Sequence, residues 1–105
     1  MAEQAVIIRF DYGSKDLARL FELEGQLEAA LAKQPVGELD GNEVAVDGSD
    51  GLLYLYGPDA DELFAAIQPV LASTDAIRNA VATLRYGPPE DGVRRRVVRI
   101  EAGGS

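Results

Sequence analysis

LLYLYGPDADELF, residues 52–64, is the stretch whose reading decides the fold. Successive side chains of an extended strand point to opposite faces, so Leu53 and Leu55 share one face while Tyr54 and Tyr56 share the other. Pro58 ends that strand, because it has no amide to donate. Asp59 then reads as a helix N-cap, with Asp61 and Glu62 in the first turn, where free amides and the helix dipole favour carboxylates. Leu63, Phe64, Ile67, Val70 and Leu71 follow at helical spacing. The segment is therefore a strand feeding a helix, and its three carboxylates have a structural explanation that needs no acidic site. Pro69 falls inside the helical pattern and predicts a kink there.

Working outward, residues 36–51 (VGELDGNEVAVDGSDG) predict the first arm of a hairpin. Val44 and Val46 alternate with Glu43, Ala45 and Asp47, and DGSDG at 47–51 supplies turn chemistry. Upstream, AVIIRF at 5–10 is β-branched and apolar, as a central strand should be, with Val6, Ile8 and Phe10 on one face and Ile7 and Arg9 on the other. DYGS at 11–14 makes a turn, after which Ser14 or Asp16 can cap a helix. That helix spans 17–33, with Leu17, Leu20, Leu23, Leu27, Ala30 and Leu31 forming its apolar stripe and Phe21 widening it. Gln34-Pro35 stops it. Gly25 weakens its middle by about 1 kcal/mol relative to Ala, unless a neighbour requires the small residue.

Downstream, STDAIRNA at 73–80 is open between a short helical turn and a loop. VATLRYG at 81–87 is a strand that sets Ala82, Leu84 and Tyr86 opposite Val81, Thr83 and Arg85. PPEDG turns the chain into a last strand, VRRRVVRI at 93–100. Its four arginines suit an exposed edge, where charge discourages pairing with another chain. Alternation divides Arg94, Arg95, Arg96 and Arg99 between both faces, so they form no single anion pocket.

The element order is β-α-β-β-α-β-β. Without its last strand this is the split βαβ of the ferredoxin-like superfold, which the chain resembles over residues 5–87. The expected class is α+β, a five-stranded antiparallel sheet of order 2-3-1-4-5 in which the fifth strand is an added C-terminal edge. Two helices lie on one face and bury Val6, Ile8, Phe10, Val44, Val46, Leu53, Leu55 and Leu84. The runs GELDGNEVAVDGSDGLLYLYGPDADELF and LRYGPP also resemble small uncharacterised bacterial proteins. That resemblance implies the fold and supplies no catalytic or ligand-binding residue.

With 105 residues the chain makes one domain, 1–105, and its 47% apolar and 27% charged content is that of a globular protein. The ordered core should run from about 5 to 101, with 102–105 a flexible tail. No apolar run is long enough to cross a membrane. MAEQAVIIRF carries no basic start or small-residue cleavage site, so no secretory signal is expected. The absence of cysteine removes disulfides, and the expected location is the cytoplasm.

The missing residues exclude whole chemistries. Without His or Cys the chain alone cannot build a Ser-His-Asp triad, a cysteine nucleophile or a typical zinc site. It contains neither GxGxxG nor GxxxxGK[ST], the two phosphate-cradling loops. No catalytic residue, metal ligand or cofactor is expected, and the balance lies against an enzyme.

Charge is uneven. The net charge is −8, yet residues 1–74 hold 14 acids and 4 bases, and 75–105 hold 4 acids and 6 arginines. This disfavours nucleic acid, which needs a basic surface, and permits a basic protein partner.

Two candidate sites emerge. The first is the sheet face left uncovered by helices, where Arg9, Tyr54, Tyr56 and Arg85 project beside Ile7, Val81 and Thr83. Tyrosine and arginine combine apolar area with a directional polar tip, as binding hot spots do. The face resembles an RNA-recognition platform in outline, but the basic, Gly-Phe signature of that platform is missing. An apolar and aromatic patch of this kind invites self-association, so a homodimer is expected. The second is the acidic hairpin, Glu38, Asp40, Glu43, Asp47 and Asp50. Its spacing fails the calcium-loop pattern: counted from Asp40, the fifth position is Val44, and from Asp47 it is Gly51. The expected function is that of a small acidic, non-enzymatic binding domain acting through the open face or the acidic hairpin, such as an inhibitor or immunity-type protein. The alternative is a regulatory domain or small enzyme whose sheet-face pocket clamps an anionic ligand between Arg9 and Arg85.

Overall fold

A computed structural model describes residues 3–100. The expected tail, 102–105, and position 101 lie outside the described residues. The elements are β1 (Gln4–Asp11), α1 (Ala18–Lys33), β2 (Glu38–Val44), β3 (Asp50–Gly57), α2 (Ala60–Ser73), β4 (Arg78–Arg85) and β5 (Arg95–Arg99). The five strands form one antiparallel sheet in the order β2-β3-β1-β4-β5. This is the α+β arrangement that the order of elements predicts, with both helices on one side.

The core lies between that side and the helices. Val6, Ile8 and Phe10 of β1, Leu53 and Leu55 of β3, and Ala82 and Leu84 of β4 are all fully buried. Above them α1 contributes Leu20, Leu23, Leu27 and Leu31, and α2 contributes Leu63, Phe64, Ile67 and Leu71. Each such side chain stabilises the fold by roughly 1.5–3 kcal/mol on leaving water. No polar or charged side chain is buried among the described residues.

Two members expected in this core are not there. Val46 is 99% exposed, because the β2–β3 turn begins one residue before it. The Ala45 amide donates to the Asp50 carbonyl at 2.9 Å and the Gly48 amide to the Ala45 carbonyl at 2.8 Å, which leaves Val46 at the tip of the loop. The turn is therefore built by residues 45–49, and Asp50 and Gly51 already belong to β3. Phe21 is 56% exposed rather than widening the α1 stripe. Adjacent helical residues diverge by about 100°, and with Leu20 aimed at the sheet Phe21 turns to solvent.

Local chemistry accounts for the helix boundaries. The Asp59 carboxylate accepts from the amides of Asp61 and Glu62 at 2.9 and 3.1 Å, the capping that the sequence predicts. The Ala60 amide donates instead to the side chain of Gln4, at 2.8 Å, which ties α2 to the start of β1. Helix α1 begins without a side-chain bond from its own N-cap, Leu17. The Tyr12 hydroxyl takes over part of that task, accepting from the Leu20 amide at 3.3 Å and donating to the Asp16 carbonyl at 2.6 Å. Helix α2 continues unbroken through Pro69 to Ser73. The ambiguous segment 73–80 contains no further helix. Thr74 caps α2, and Arg78, Asn79 and Ala80 join β4 across a register shift at which Asn79 adopts φ 52°.

Gly48 shows why the hairpin turn needs a glycine. Its φ is +75°, and a Cβ there would lie 2.0 Å from the carbonyl oxygen of Ser14. The approach lets the Gly48 carbonyl accept from the amides of Gly13 and Ser14 at 2.7 and 3.1 Å, so the β2–β3 turn is stapled to the β1–α1 connection.

Candidate functional site: the open face of the sheet

Alternation leaves one face of the sheet without helices, and the strand register assembles it in rows. From β2 to β5, one row reads Glu38, Tyr56, Ala5, Arg85, Arg95. The next reads Gly41, Tyr54, Ile7, Thr83, Val97, and a third reads Glu43, Leu52, Arg9, Val81, Arg99. Tyr54, Tyr56, Ile7, Thr83, Val81 and Arg85 are half-buried, and Val97 is 67% exposed. Ala5 alone is fully buried, as the smallest residue between two large neighbours, Tyr56 and Arg85.

A bulge in β2 gives this face its acidic border. Between Leu39, which pairs with Leu55, and Gly41, which pairs with Tyr54, one residue of β2 has no counterpart on β3. An extra residue of this kind reverses the alternation on one side of it. Leu39 thereby turns to the helix side and packs against the core. Glu38 and Glu43 both come to the open face, and Asn42 stays on the helix side, where its amide donates to Glu24 of α1 at 2.8 Å. Sequence alternation alone cannot reveal this, because the bulge is a property of the pairing with β3. Ala5, Gly41, Leu52 and Val97, together with Arg95 and Arg99, are the other residues of these rows that the reading of the sequence did not assign to the site.

The result is a graded surface. Glu38 and Glu43 line the β2 edge, apolar and aromatic groups fill β3, β1 and β4, and Arg95 and Arg99 line the β5 edge. Among the described residues, none of these four edge charges has an ion-pair partner within the chain. Between the edges Arg9 has such partners, and Arg85 has none among the described residues. Arg9 donates to the Asp50 carboxylate at 2.9 Å and lies 3.7 Å from that of Asp11. Partial burial first, and then the nearby Glu43 carboxylate, push the pKa of Tyr54 above its ordinary value.

Arg9 and Arg85, expected to clamp an anion, are not brought together. They stand four residues apart on adjacent strands, about 13 Å, and Arg85 spends its Nε on the Gly87 carbonyl at 2.7 Å. A hollow beside Arg9 is lined by Glu43 and Asp50 as well, two carboxylates to one guanidinium. A cleft of about 540 Å³ lies instead at the end of β3, among Leu31, Pro35, Glu38, Tyr56 and Pro58, and no arginine lines it.

The acidic hairpin also separates into parts. Glu38 and Glu43 belong to the open face, Asp50 serves Arg9, and Asp40 is exposed at the bulge. Asp47 accepts from the Ser49 amide at 2.9 Å, which holds the turn, and its pKa is lowered first by the Ser49 side chain and then by that amide. Among the described residues, no group of three or more carboxylates is placed to hold a metal ion.

On the other side of β5, the Arg94 guanidinium stacks 4.4 Å over the Tyr86 ring. The Tyr86 hydroxyl donates to Asp61 at 2.6 Å, and Arg96 lies 3.9 Å from the same carboxylate. The four arginines are thus shared between the two faces as alternation predicts. Arg96 faces Asp61 of α2 directly and Arg94 through the Tyr86 ring, and Arg95 and Arg99 are left on the open side.

The fold and the surface together define an α+β plait of the ferredoxin-like arrangement, extended by one edge strand, whose uncovered face carries Arg9, Tyr54, Tyr56 and Arg85. Comparisons with protein-family models, with curated proteins and with solved structures found no match. Among the described residues, no helix is long and apolar enough to cross a membrane.

Proposed function

We propose that this chain is a small, non-enzymatic protein-interaction domain of the cytoplasm, working as a homodimer through its open sheet face. The observation that carries this reading is the unpartnered apolar centre of that face. Tyr54, Ile7, Thr83 and Val97 form one continuous row across four strands, with Leu52 and Val81 beside them, and Val97 is two-thirds exposed. Five strands with one naked face leave aromatic and branched side chains in water, and covering them is favourable by roughly 25 cal/mol per Å². Tyrosine supplies such area with little loss of side-chain freedom. The resemblance to small bacterial proteins of the same architecture accords with the fold and contributes nothing further to the function.

Light scattering and circular dichroism test the reading together. The native chain is expected at twice the mass of one copy. The double variant Tyr54→Ala, Tyr56→Ala is expected at the mass of one copy, with unchanged secondary structure, because neither ring belongs to the helix-side core. A native chain that stays monomeric overturns the proposal, and so does a double variant that stays folded and dimeric.

A further inference from the structure

Taking the homodimer through the open face as its premise, we infer the way the second copy sits: the two faces stack about a two-fold axis parallel to β1, so that the acidic β2 edge of each copy covers the basic β5 edge of the other.

The argument is one of symmetry and charge. A face-to-face pair related by a two-fold axis has that axis lying between the sheets, either along the strands or across them. An axis across the strands sets β2 on β2 and β5 on β5. Glu38 would then meet Glu43 of the second copy, and Arg95 would meet Arg99. Like charges brought together at an interface are strongly unfavourable. An axis along the strands exchanges the two edges while keeping each row in place. Glu38 then faces Arg95 of the second copy and Glu43 faces Arg99, because the register sets the first pair in one row and the second pair in another. Tyr54 falls on Thr83 and Leu52 on Val81, and Ile7 meets Ile7 at the axis.

Three features support this geometry. None of the four edge charges it uses has an ion-pair partner inside the chain among the described residues, and Arg85, which also has none, falls opposite Tyr56 of the second copy. The one charge it sets near the axis, Arg9, is already neutralised by Asp50 at 2.9 Å and Asp11 at 3.7 Å. The dimensions also suffice. Five strands about 4.8 Å apart, four of seven or eight residues and β5 of five, rising about 3.3 Å per residue, make a face of about 570 Å² in projection. With side-chain relief this approaches the roughly 800 Å² that each partner buries in an interface of standard size. Packed sheets also rotate by about 30°, which shifts rows at the edge by about 5 Å, less than the roughly 13 Å separating Arg95 from Arg99. The acidic edge therefore stays over the basic one. Joining through strand edges is disfavoured by the same residues, since β5 against β5 sets arginines side by side and β2 against β2 sets carboxylates side by side.

Charge exchange tests the geometry. One variant carries Glu38→Arg and Glu43→Arg, the other Arg95→Glu and Arg99→Glu. Each alone is expected to sediment as a monomer, because every edge contact becomes repulsive. An equimolar mixture is expected to recover the dimer, one copy of each, since both edges are again complementary. In parallel, the dissociation constant of the native chain should rise severalfold between about 0.05 and 0.5 M salt. A native dimer whose variants remain dimeric alone overturns the two-fold arrangement while leaving the open face as partner surface. A mixture of folded variants that stays monomeric overturns it too, and so does a native dimer indifferent to salt. A native chain that is monomeric at every salt concentration overturns the premise instead.

Discussion

On the helix side of the sheet Val6, Ile8, Phe10, Leu53, Leu55 and Leu84 are all fully buried, whereas the same three strands present Ile7, Arg9, Tyr54, Tyr56, Thr83 and Arg85 on the open side. One backbone carries both sets, separated by the period of two. The helix side is a packed interior, where side-chain volume and shape decide stability. On the open side charge is arranged by position, acids at one edge and bases at the other, with tyrosines between. The proposed interface rests on this arrangement, and the contrast can be broken by experiment.

The sharpest attempt compares neighbours of equal size. Ile8→Ala leaves a cavity under the helices and is expected to cost about 2–5 kcal/mol in chemical denaturation. Ile7→Ala, one residue away on the open face, should cost the isolated monomer less than about 1.5 kcal/mol and should weaken the dimer instead. Equal losses of monomer stability would mean that both faces are interior.

A smaller effect concerns the lid itself. A Cβ at Gly25 would meet nothing within 4 Å, so no neighbour requires the glycine in α1. Gly25→Ala should raise the denaturation midpoint by an amount worth about 0.5–1 kcal/mol, through helix propensity alone, and leave the mass unchanged. A loss of stability would mean that the outer side of α1 is also a contact surface.

The smallest effect separates two tyrosines. The pKa of Tyr86 is raised first by its hydrogen bond to Asp61 and then by burial, whereas that of Tyr54 is raised first by burial and then by Glu43. Because the neutral hydroxyl of Tyr86 is favoured in the folded state, its contribution is present below the ordinary value of 10.0 and is lost as pH rises through the higher folded value. Tyr86→Phe should therefore lower stability by less than about 1 kcal/mol at neutral pH, given the exposure of Asp61. It should also flatten the loss of stability above about pH 10. An unchanged alkaline profile would remove this bond from the account of how β5 is anchored.

Much of this molecule can be read along the chain. The two faces of β1 and β3, the Asp59 cap, the stop at Gln34 and the division of the four arginines all follow from neighbours in sequence, because alternation and capping act over one to four residues. The anion clamp is another matter. Arg9 and Arg85 do share a face, as alternation predicts, but their distance along the strands and their own partners depend on register, which no local pattern states.

The sequence by itself therefore determined the order of elements, the sheet order and which residues of the central strands look away from the helices. Only the tertiary structure decided that Val46 stands at a loop tip and that the β2 bulge turns Leu39 inward while delivering Glu38 and Glu43 to the open face. Only there do the acidic and basic edges become opposite borders of one surface. The physical reason is that a bulge and a register are settled by hydrogen bonding between strands far apart in the chain. Side-chain alternation is settled within each strand alone.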